Sequence, residues 1–310
     1  MVNACQKQLK VGFQPWEEEK LKEILLSLKG SVAGRFMWQL GTKTVDRLGL
    51  MSLQNCAFTV VNEPIRPFTW AMDALMLGSG VGYNIQREHV YELPKVNKKK
   101  IRIIRKDSKD ADFIVPDSRE WWIELLRRTL EAHFYEGRGF SYSTICVRGK
   151  GEVIKGFGGT ASGLDIMNII GYIVVAGNVR RSAQIAIGDY DDIQFLEAKH
   201  WDNGIPNWRA MSNNSVVCND ITLLPEQFWD GYNGSSEPYG LINLKLAQTV
   251  GRSGDTRYPD PDVQGFNPCA EQSLAPFETC CLAEIHLPNI ESQEELDDVA
   301  HYLYRICKHS

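Results

Sequence analysis

The stretch LGLMSLQNCAFTVV, residues 48–61, is almost continuously apolar and rich in residues that favour β-strands. Such a run is typical of a strand buried on both faces, as the strands of parallel sheets are. Further strand-like stretches are FSYSTICVR (140–148), SAQIAIGD (182–189), NSVVCND (214–220) and YGLINLKL (239–246). Helical patterns lie between several of them. This alternation predicts an α/β fold with a largely parallel sheet.

The helical patterns have recognisable ends. Apolar residues at helical spacing predict a helix over residues 16–29, stopped by Gly30, and another over 68–77. Asp117 with Glu120 resembles a capping box that opens a third helix. The basic segment just before it has the character of a hairpin.

The last helix carries a strong apolar stripe. Ser292 and Glu295 form a capping-box pattern at its start. The stripe consists of Leu296, Val299, Ala300, Leu303 and Ile306. In an α/β array a strand usually comes next, but this sequence stops at Ser310. We therefore expect the chain to be cut off relative to a complete domain.

Composition narrows the class of protein. The chain has 310 residues, 43% of them hydrophobic and 24% charged, with a net charge of −5. These values are typical of a globular protein without a general affinity for nucleic acids. The apolar stretch IMNIIGYIVVAGNV is too short and too interrupted to span a bilayer, and the N-terminus shows no export signal. We therefore predict a cytoplasmic protein with no membrane partner, whose eight cysteines are reduced.

Two glycine-rich segments invite a nucleotide-binding interpretation. GSGVGYN (78–84) lacks the third glycine of the dinucleotide fingerprint and follows a helix, so we interpret it as a tight turn. GFGGTASG (156–163) is a better candidate, because its backbone N–H groups and the hydroxyls of Thr160 and Ser162 could hold a phosphate. A flexible surface loop explains it equally well.

Two groups of basic residues are weaker candidates for anion-binding sites. Arg180 and Arg181 follow a glycine turn and could contact a phosphate or base, although solvated surface arginines fit the pattern too. The run KVNKKKIRIIRKD (95–107) has an acidic continuation, and a solvated hairpin explains it better than a polyanion site does.

The segment FNPCAEQSLAPFETCCLAEI (266–285) holds the most distinctive pattern. In an extended chain Asn267, Cys269 and Glu271 would point to one face, with Pro268 fixing the backbone between them. A carboxylate raises the pKa of a neighbouring thiol and disfavours the thiolate. The pattern therefore suits a neutral thiol that reacts by hydrogen-atom transfer, with the glutamate as a separate acid or base.

The adjacent Cys280 and Cys281 are poor partners for each other. Their Cα atoms are about 3.8 Å apart, below the roughly 4.4–6.8 Å of relaxed disulfides. Cys56, beside the polar Asn55 in the buried stretch, is the best distant partner. A zinc site would use Cys269, Cys280, Cys281 and His286. Its spacing lacks a C-x₂₋₄-C pair, which disfavours it.

These motifs together resemble a known family, the large catalytic subunit of ribonucleotide reductases. The resemblance is strongest to adenosylcobalamin-dependent (class II) ribonucleoside-triphosphate reductases of the monomeric type. The matching stretches are GRFMWQLGT (34–42), RLGLMSLQNCAFTVVNEPIRPFTWAMDALMLGSGVGYNIQR (47–87), DADFIVPDSREWW (110–122), GFGGTASG (156–163), IGYIVVAGNVRRSAQIAIGD (170–189), IPNWRAMSNNSVVCND (205–220) and FNPCAEQSLAPFETCCLAEI (266–285).

The resemblance implies roles for individual residues. Cys269 corresponds to the thiol that becomes a transient thiyl radical and abstracts the 3′ hydrogen of the ribose. Glu271 would act as the base for the 3′ hydroxyl, and Asn267 would hydrogen-bond the substrate. Cys56 and Cys280 would deliver two electrons and end as a disulfide. Asn55, beside Cys56, is a candidate substrate-binding residue.

The resemblance also implies partners and a fold. Adenosylcobalamin would start the radical, and thioredoxin or a similar dithiol would reduce the Cys56–Cys280 disulfide. A deoxynucleotide effector would bind near Arg180, Arg181, Thr160 and Ser162. The implied fold is a ten-stranded α/β barrel of the ribonucleotide reductase and glycyl-radical enzyme type, with Cys269 on a finger loop inside.

The chain departs from the family pattern in ways that bear on activity. Gly163 runs directly into Leu164 where relatives continue through a further segment, which indicates an internal deletion. We expect residues 1–47 to form an N-terminal helical segment and 48–310 the first half of the barrel, with the C-terminal half missing. A second polypeptide would then have to supply that half. The alternative is a non-catalytic nucleotide-binding or zinc-binding remnant.

Overall fold

The computed structural model describes residues 5–10, 12–146, 160–176 and 182–308. It divides into two compact units. Unit 1 consists of Met1–Ala57 with Thr279–Ser310, and unit 2 of Phe58–Glu278. The helical segment predicted for residues 1–47 falls within unit 1, and its division from a barrel beginning at residue 48 stays a prediction.

The helices and strands alternate along most of the chain. The helices are α1 (Pro15–Leu26), α2 (Gly34–Gln39), α3 (Lys43–Leu48), α4 (Arg66–Leu77), α5 (Arg87–Val90), α6 (Arg119–Glu131), α7 (Thr160–Ala176), α8 (Ile193–Leu196), α9 (Glu226–Asn233), α10 (Leu244–Val250) and α11 (Gln293–Lys308). The strands are β1 (Gly30–Val32), β2 (Cys56–Val60), β3 (Gly80–Asn84), β4 (Ile104–Arg105), β5 (Phe113–Ile114), β6 (Ser141–Ser143), β7 (Gln184–Asp189), β8 (Ser212–Val217), β9 (Gly240–Ile242), β10 (Gly265–Phe266), β11 (Ser273–Leu274), β12 (Thr279–Cys280) and β13 (Ala283–Ile285).

Unit 2 is built on a parallel sheet. Strands β3, β7, β8 and β9 hydrogen-bond in this order and run parallel, and β2 lies beside β3. The buried apolar side chains of this sheet and its neighbours are Phe58, Val60, Ile185, Ile187, Val217, Ile242 and Leu274. The predicted α/β fold with a largely parallel sheet is confirmed.

The strands are shorter than their apolar runs. Within residues 48–61 only Cys56–Val60 is a strand, buried at all five positions. Leu50–Leu53 forms a 3₁₀ turn, because Gly49 at φ 79° breaks the extended chain. In YGLINLKL the strand ends at Ile242, since the Asn243 side chain accepts a hydrogen bond from Leu246 N and starts α10.

The basic segment before α6 is not a hairpin. Strands β4 and β5 both pair with β6, which lies between them, and both run parallel to it. Carboxylates hold this arrangement: Asp107 accepts from Thr144 N and Asp112 from Ser141 N. Helix α6 begins at Arg119 rather than Asp117, and the Ser118 hydroxyl donates to Glu120.

Helix α7 contains the most apolar stretch of the chain. It runs without a break through the junction of Gly163 and Leu164, and the deletion predicted there stays a prediction. In the described part of the chain, no helix combines the length and apolarity needed to cross a membrane.

The core of unit 1 is formed by α11 and the N-terminal helices. Its buried side chains include Leu21, Ile24, Phe36, Val299, Leu303 and Ile306. Three of the stripe residues predicted in the last helix are therefore confirmed as core. Ala300 is exposed, and Tyr302 is buried in its neighbourhood instead.

Gly30 has a role that the sequence did not predict. Helix α1 already ends at Leu26, and Leu28 is exposed with φ 53°. Gly30 instead begins β1, which pairs with β13 in antiparallel register. A Cβ atom on Gly30 would lie 2.8 Å from Leu303 Cδ1 and 2.9 Å from Val299 Cγ1. The missing side chain lets α11 pack directly on β1.

Replacing Leu303 with alanine should lower the free energy of unfolding by about 2–5 kcal/mol, because it leaves a cavity under α11. Urea denaturation measures the change. Tyr304→Ala is the matched control: its side chain is 63% exposed, and a surface change typically costs less than about 0.5 kcal/mol. Equal losses for the two variants would contradict the described packing.

Candidate functional site

Cys269 lies at the tip of a short hairpin in unit 2. Strands β10 and β11 pair antiparallel, with Gly265 opposite Leu274 and Phe266 opposite Ser273. The connection turns tightly, since Ala270 N donates to Asn267 O at 2.9 Å and Ala270 has φ 62°. The side chains of Cys269 and Glu271 are both exposed there. A thiol and a carboxylate are thus exposed together on one tight turn.

Asn267 supports this turn from its buried side. It is completely buried, and its Oδ1 accepts a hydrogen bond from Gln272 N at 3.0 Å. Among the described residues its Nδ2 atom has no hydrogen-bond partner. The expectation that Asn267, Cys269 and Glu271 share one face of an extended chain is wrong, because the chain turns at Pro268 and directs the amide inward.

Two glycines of β3 make room for the hairpin. A Cβ on Gly82 would lie only 1.9 Å from Phe266 O, and one on Gly80 would lie 2.9 Å from Pro268 Cγ. The tight-turn interpretation of GSGVGYN therefore holds only at Gly78, which ends α4 at φ 92°. Gly80 and Gly82 are strand residues whose lack of a side chain lets the Cys269 hairpin lie against the sheet.

Gly82→Ala should displace the hairpin, because the added methyl group overlaps a main-chain oxygen. We expect a loss of about 1–3 kcal/mol in unfolding free energy and faster alkylation of Cys269 by N-ethylmaleimide. Gly34→Ala is the control, since nothing lies within 4 Å of the added Cβ. Unchanged stability and an unchanged alkylation rate in Gly82→Ala would refute the steric argument.

Unit 1 contains the second group of thiols. Strand β12 pairs antiparallel with the first residues of β2, and Cys280 stands directly opposite Cys56. Directly opposed residues of an antiparallel pair have Cα atoms about 4.5–5.5 Å apart. This range lies within the roughly 4.4–6.8 Å that a relaxed disulfide needs. The two sulfurs can therefore be joined with little movement of the main chain.

Asn55 holds the strand that carries the paired thiols. Its N–H donates to Cys280 O at 2.9 Å, and its Oδ1 accepts from Leu282 N at 3.2 Å. The side-chain oxygen predicted for substrate binding is thus engaged with the main chain. This contact fixes the segment on both sides of Cys281.

The remaining thiols of unit 1 lie in its core. Cys5 is buried, and burial raises its pKa to about 11. Cys281 and Cys307 pack against the same core. The neighbouring Cys281 side chain and burial raise the pKa of Cys307 above its ordinary value. The sequence analysis considered Cys281 only as a zinc ligand and assigned no role to Cys307.

The proposed zinc ligands Cys269, Cys280, Cys281 and His286 do not form a metal-binding group. Within the ranges that the structure describes, no three His, Cys, Asp or Glu side chains form a group that could hold a metal ion.

The predicted effector site falls largely outside the described residues. Arg180 and Arg181 lie outside them, as do the first glycines of GFGGTASG. Thr160 and Ser162 lie in the first turn of α7, where only the backbone is described. The effector roles of these four residues stay predictions.

Comparison with known proteins shows which family the chain resembles. Residues 84–176 match the family model for the insertion domain of B12-dependent ribonucleotide reductase. An adenosylcobalamin-dependent ribonucleoside-triphosphate reductase from Euglena gracilis is 32% identical over 93% of this chain and 44% of its own length. The enzyme of that name from Lactobacillus acidophilus is 31% identical over 89% of this chain and 48% of its own length. Over most of its length this chain is similar to B12-dependent, class II ribonucleotide reductases.

A solved class II ribonucleotide reductase has a similar fold. It superimposes with a TM-score of 0.76 at 24% identity, over 98% of this chain and 54% of the solved one. The chain therefore spans about half the length of the class II reductases that it matches. The alignment with the Euglena gracilis protein extends over 333 positions, whereas this chain has 310 residues. Within the aligned region the relative therefore contains residues that this chain lacks.

Proposed function

We propose that this chain carries the radical thiol and the redox-active thiol pair of a class II reductase that converts ribonucleoside triphosphates to deoxyribonucleoside triphosphates. The observation that carries the proposal is the direct opposition of Cys56 and Cys280 in unit 1. The names of the relatives support the substrate class and the cofactor.

In this proposal Cys269 does the radical chemistry. As a thiyl radical it abstracts the 3′ hydrogen of the ribose and returns a hydrogen atom at the end. Glu271, two residues further along the same turn, accepts the proton of the 3′ hydroxyl. The hairpin contributes rigidity, because the buried Asn267 and the close approach to β3 limit movement of the turn.

Cys56 and Cys280 supply the reducing equivalents. Each thiol gives up one hydrogen, the 2′ hydroxyl leaves as water, and the two sulfurs end joined as a disulfide. Both electrons lost by the thiols are gained by the ribose. Thioredoxin or a similar dithiol would then reduce the disulfide by exchange.

Adenosylcobalamin fits the exposed thiol of Cys269. When bound, the cofactor supplies the initial radical by homolysis of its cobalt–carbon bond. Cys269 would face it, and its exposure at the hairpin tip leaves the sulfur accessible to so large a group. A deoxynucleotide effector near Arg180, Arg181, Thr160 and Ser162 would regulate substrate choice.

We propose that a second polypeptide adds strands at the edge of the unit 2 sheet and completes a ten-stranded barrel. Strand β9 ends the parallel sheet of unit 2, and Leu241 on it and Leu246 just beyond are exposed. An edge strand offers unpaired backbone groups to an added strand. The finger-loop position of Cys269 and the deletion near 163–164 belong to the same proposal.

The test is reduction of a ribonucleoside triphosphate with adenosylcobalamin and dithiothreitol. We expect no turnover by the chain alone and measurable turnover after adding a polypeptide that corresponds to the C-terminal half of a relative. Cys269→Ser should abolish that turnover, while Cys146→Ser, an exposed thiol elsewhere in unit 2, should leave it unchanged. Turnover that survives Cys269→Ser would disprove the radical assignment.

The thiol pair can be tested without turnover. Incubation with oxidised dithiothreitol should join Cys56 and Cys280, and mass spectrometry of alkylated, digested protein should detect the linked peptides. Asn55→Ala should lower the equilibrium constant for forming this disulfide by more than about tenfold, because the side-chain hydrogen bond that holds the Cys280 strand is lost. An undetectable Cys56–Cys280 disulfide in the parent chain would contradict their redox role.

A further inference from the structure

A basic segment of unit 2 takes no part in the proposed chemistry. Residues 95–102, KVNKKKIR, carry five positive and no negative charges, although the whole chain has a net charge of −5. We call these residues the basic strap. Its cationic side chains are all exposed, namely Lys95, Lys98, Lys99, Lys100 and Arg102. The strap is therefore a concentrated positive surface on an acidic protein.

The charges of the strap are not neutralised by direct pairing. Arg105, just beyond the strap, forms an ion pair with Asp107. The five strap cations form no ion pair with any residue that the structure describes. Like charges so close together repel one another, and a polyanion that binds along them relieves this repulsion and releases its own counterions.

The backbone of the strap is held against the segment that follows α6. Asn97 N donates to His133 O at 2.9 Å, and Lys99 N donates to Asn97 Oδ1 at 3.0 Å. A Cβ atom on Gly139 would lie only 2.0 Å from Arg102 O. The strap is thus an ordered ribbon rather than the solvated hairpin predicted from the sequence. Because its backbone is already fixed, presenting its charges to a partner costs little backbone entropy.

Two exposed tyrosines accompany the strap. Tyr135 is 58% exposed and lies between His133 and Gly137 in the chain. Both of these neighbours contact the strap, since a Cβ atom on Gly137 would lie 2.2 Å from Asn97 Nδ2. Tyr91, four residues before the strap, is 75% exposed. Exposed aromatic rings next to a row of cations are typical of surfaces that bind single-stranded nucleic acids.

We propose that the basic strap binds single-stranded nucleic acid. Its lysines and Arg102 contact the phosphates, and the rings of Tyr91 and Tyr135 stack on bases. Binding tolerates many sequences, because contacts to phosphates and to the faces of bases do not read base edges. The aromatic rings favour this partner over an acidic peptide, which would use the charges alone. This function is separate from the radical chemistry and needs no thiol, cofactor or second polypeptide.

The first experiment measures fluorescence anisotropy of a labelled oligothymidylate of about 20 nucleotides, titrated with the purified chain. We expect saturable binding at about 50 mM NaCl that weakens as salt is added. The logarithm of the association constant should fall against that of the salt concentration with a slope of up to about −3.5, since each neutralised phosphate contributes about −0.7. No binding, or a slope near zero, would overturn the proposal.

The charge variant carries Lys98→Gln, Lys99→Gln and Lys100→Gln. It should bind the oligonucleotide at least about tenfold more weakly at about 50 mM NaCl, and its salt slope should be shallower by about 2. The control makes the same substitution at three exposed lysines outside the strap, Lys7, Lys43 and Lys245. Equal losses for the two variants would show that net charge alone governs binding and would contradict the assignment to the strap.

The stacking variant is Tyr135→Ala. It should lower the affinity at least about fivefold and leave the salt slope unchanged, because stacking on a base releases no counterion. Tyr304→Ala, a similarly exposed tyrosine of α11, should bind as the parent chain does. If Tyr135→Ala also binds as tightly as the parent chain, the rings do not stack on bases and the proposal is wrong.

Competition on the parent chain does not depend on the folding of any variant. Deoxythymidine triphosphate, at equal phosphate concentration, should not displace the oligonucleotide. Displacement would place the oligonucleotide in a mononucleotide site instead of on the strap. Polyglutamate of equal charge should displace it at least about fivefold less well than unlabelled oligothymidylate does. Equal displacement would mean a general polyanion surface and would refute the preference for nucleic acid.

Discussion

The contact between Phe266 O and Gly82 leaves no room for even a methyl group, and the arrangement of unit 2 around Cys269 depends on it. Because the hairpin lies directly on β3, its two short strands need little pairing of their own. Asn267 can then be buried and hold the turn from below, and Cys269 and Glu271 are left exposed at the tip. The radical role proposed for Cys269 requires such support, since a mobile thiyl would react with whatever group it contacted.

Unit 1 positions the sulfur atoms of its cysteines in a different way. Its cysteines lie on a two-residue strand pairing and on the last turn of a helix, and hydrogen bonds from a single asparagine hold the pairing in register. Packing of α11 on Gly30 fixes the helix, and with it Cys307. The same core that stabilises the unit therefore sets the distances between its thiols.

Local patterns in the sequence predicted much of this structure. Apolar runs identified the buried β2 and the parallel strands of unit 2, and the apolar stripe identified the buried face of α11. Those signals act over a few residues, where periodicity and propensity dominate. The motifs around Cys269 and Cys56 also predicted the similarity to class II ribonucleotide reductases.

The failures share a physical origin in contacts between distant segments. The sequence pattern predicts Gly82 to be a turn residue, because no residue near it in sequence indicates that the main-chain carbonyl of Phe266 lies against it. The sequence pattern predicts that the Asn267 side chain lies on the same face as Cys269, whereas the turn in the structure directs it into the interior. Cys281 and Cys307 carry no motif, and only the packing of α11 brings them together. The order of β4, β6 and β5 likewise depends on carboxylates that bind main-chain groups far along the chain.

The two hydrogen bonds made by Asn55 bear on the kinetics of thiol chemistry in unit 1. They fasten the backbone around Cys280 and Cys281, so in the disulfide proposed with Cys56 the Cys280 sulfur moves mainly by rotation about its own Cα–Cβ bond. Side-chain rotations of this kind are many orders of magnitude faster than disulfide rearrangements that wait for a loop to open. The rate of forming the proposed disulfide would then depend on the fraction of thiolate, and barely on any motion of the fold.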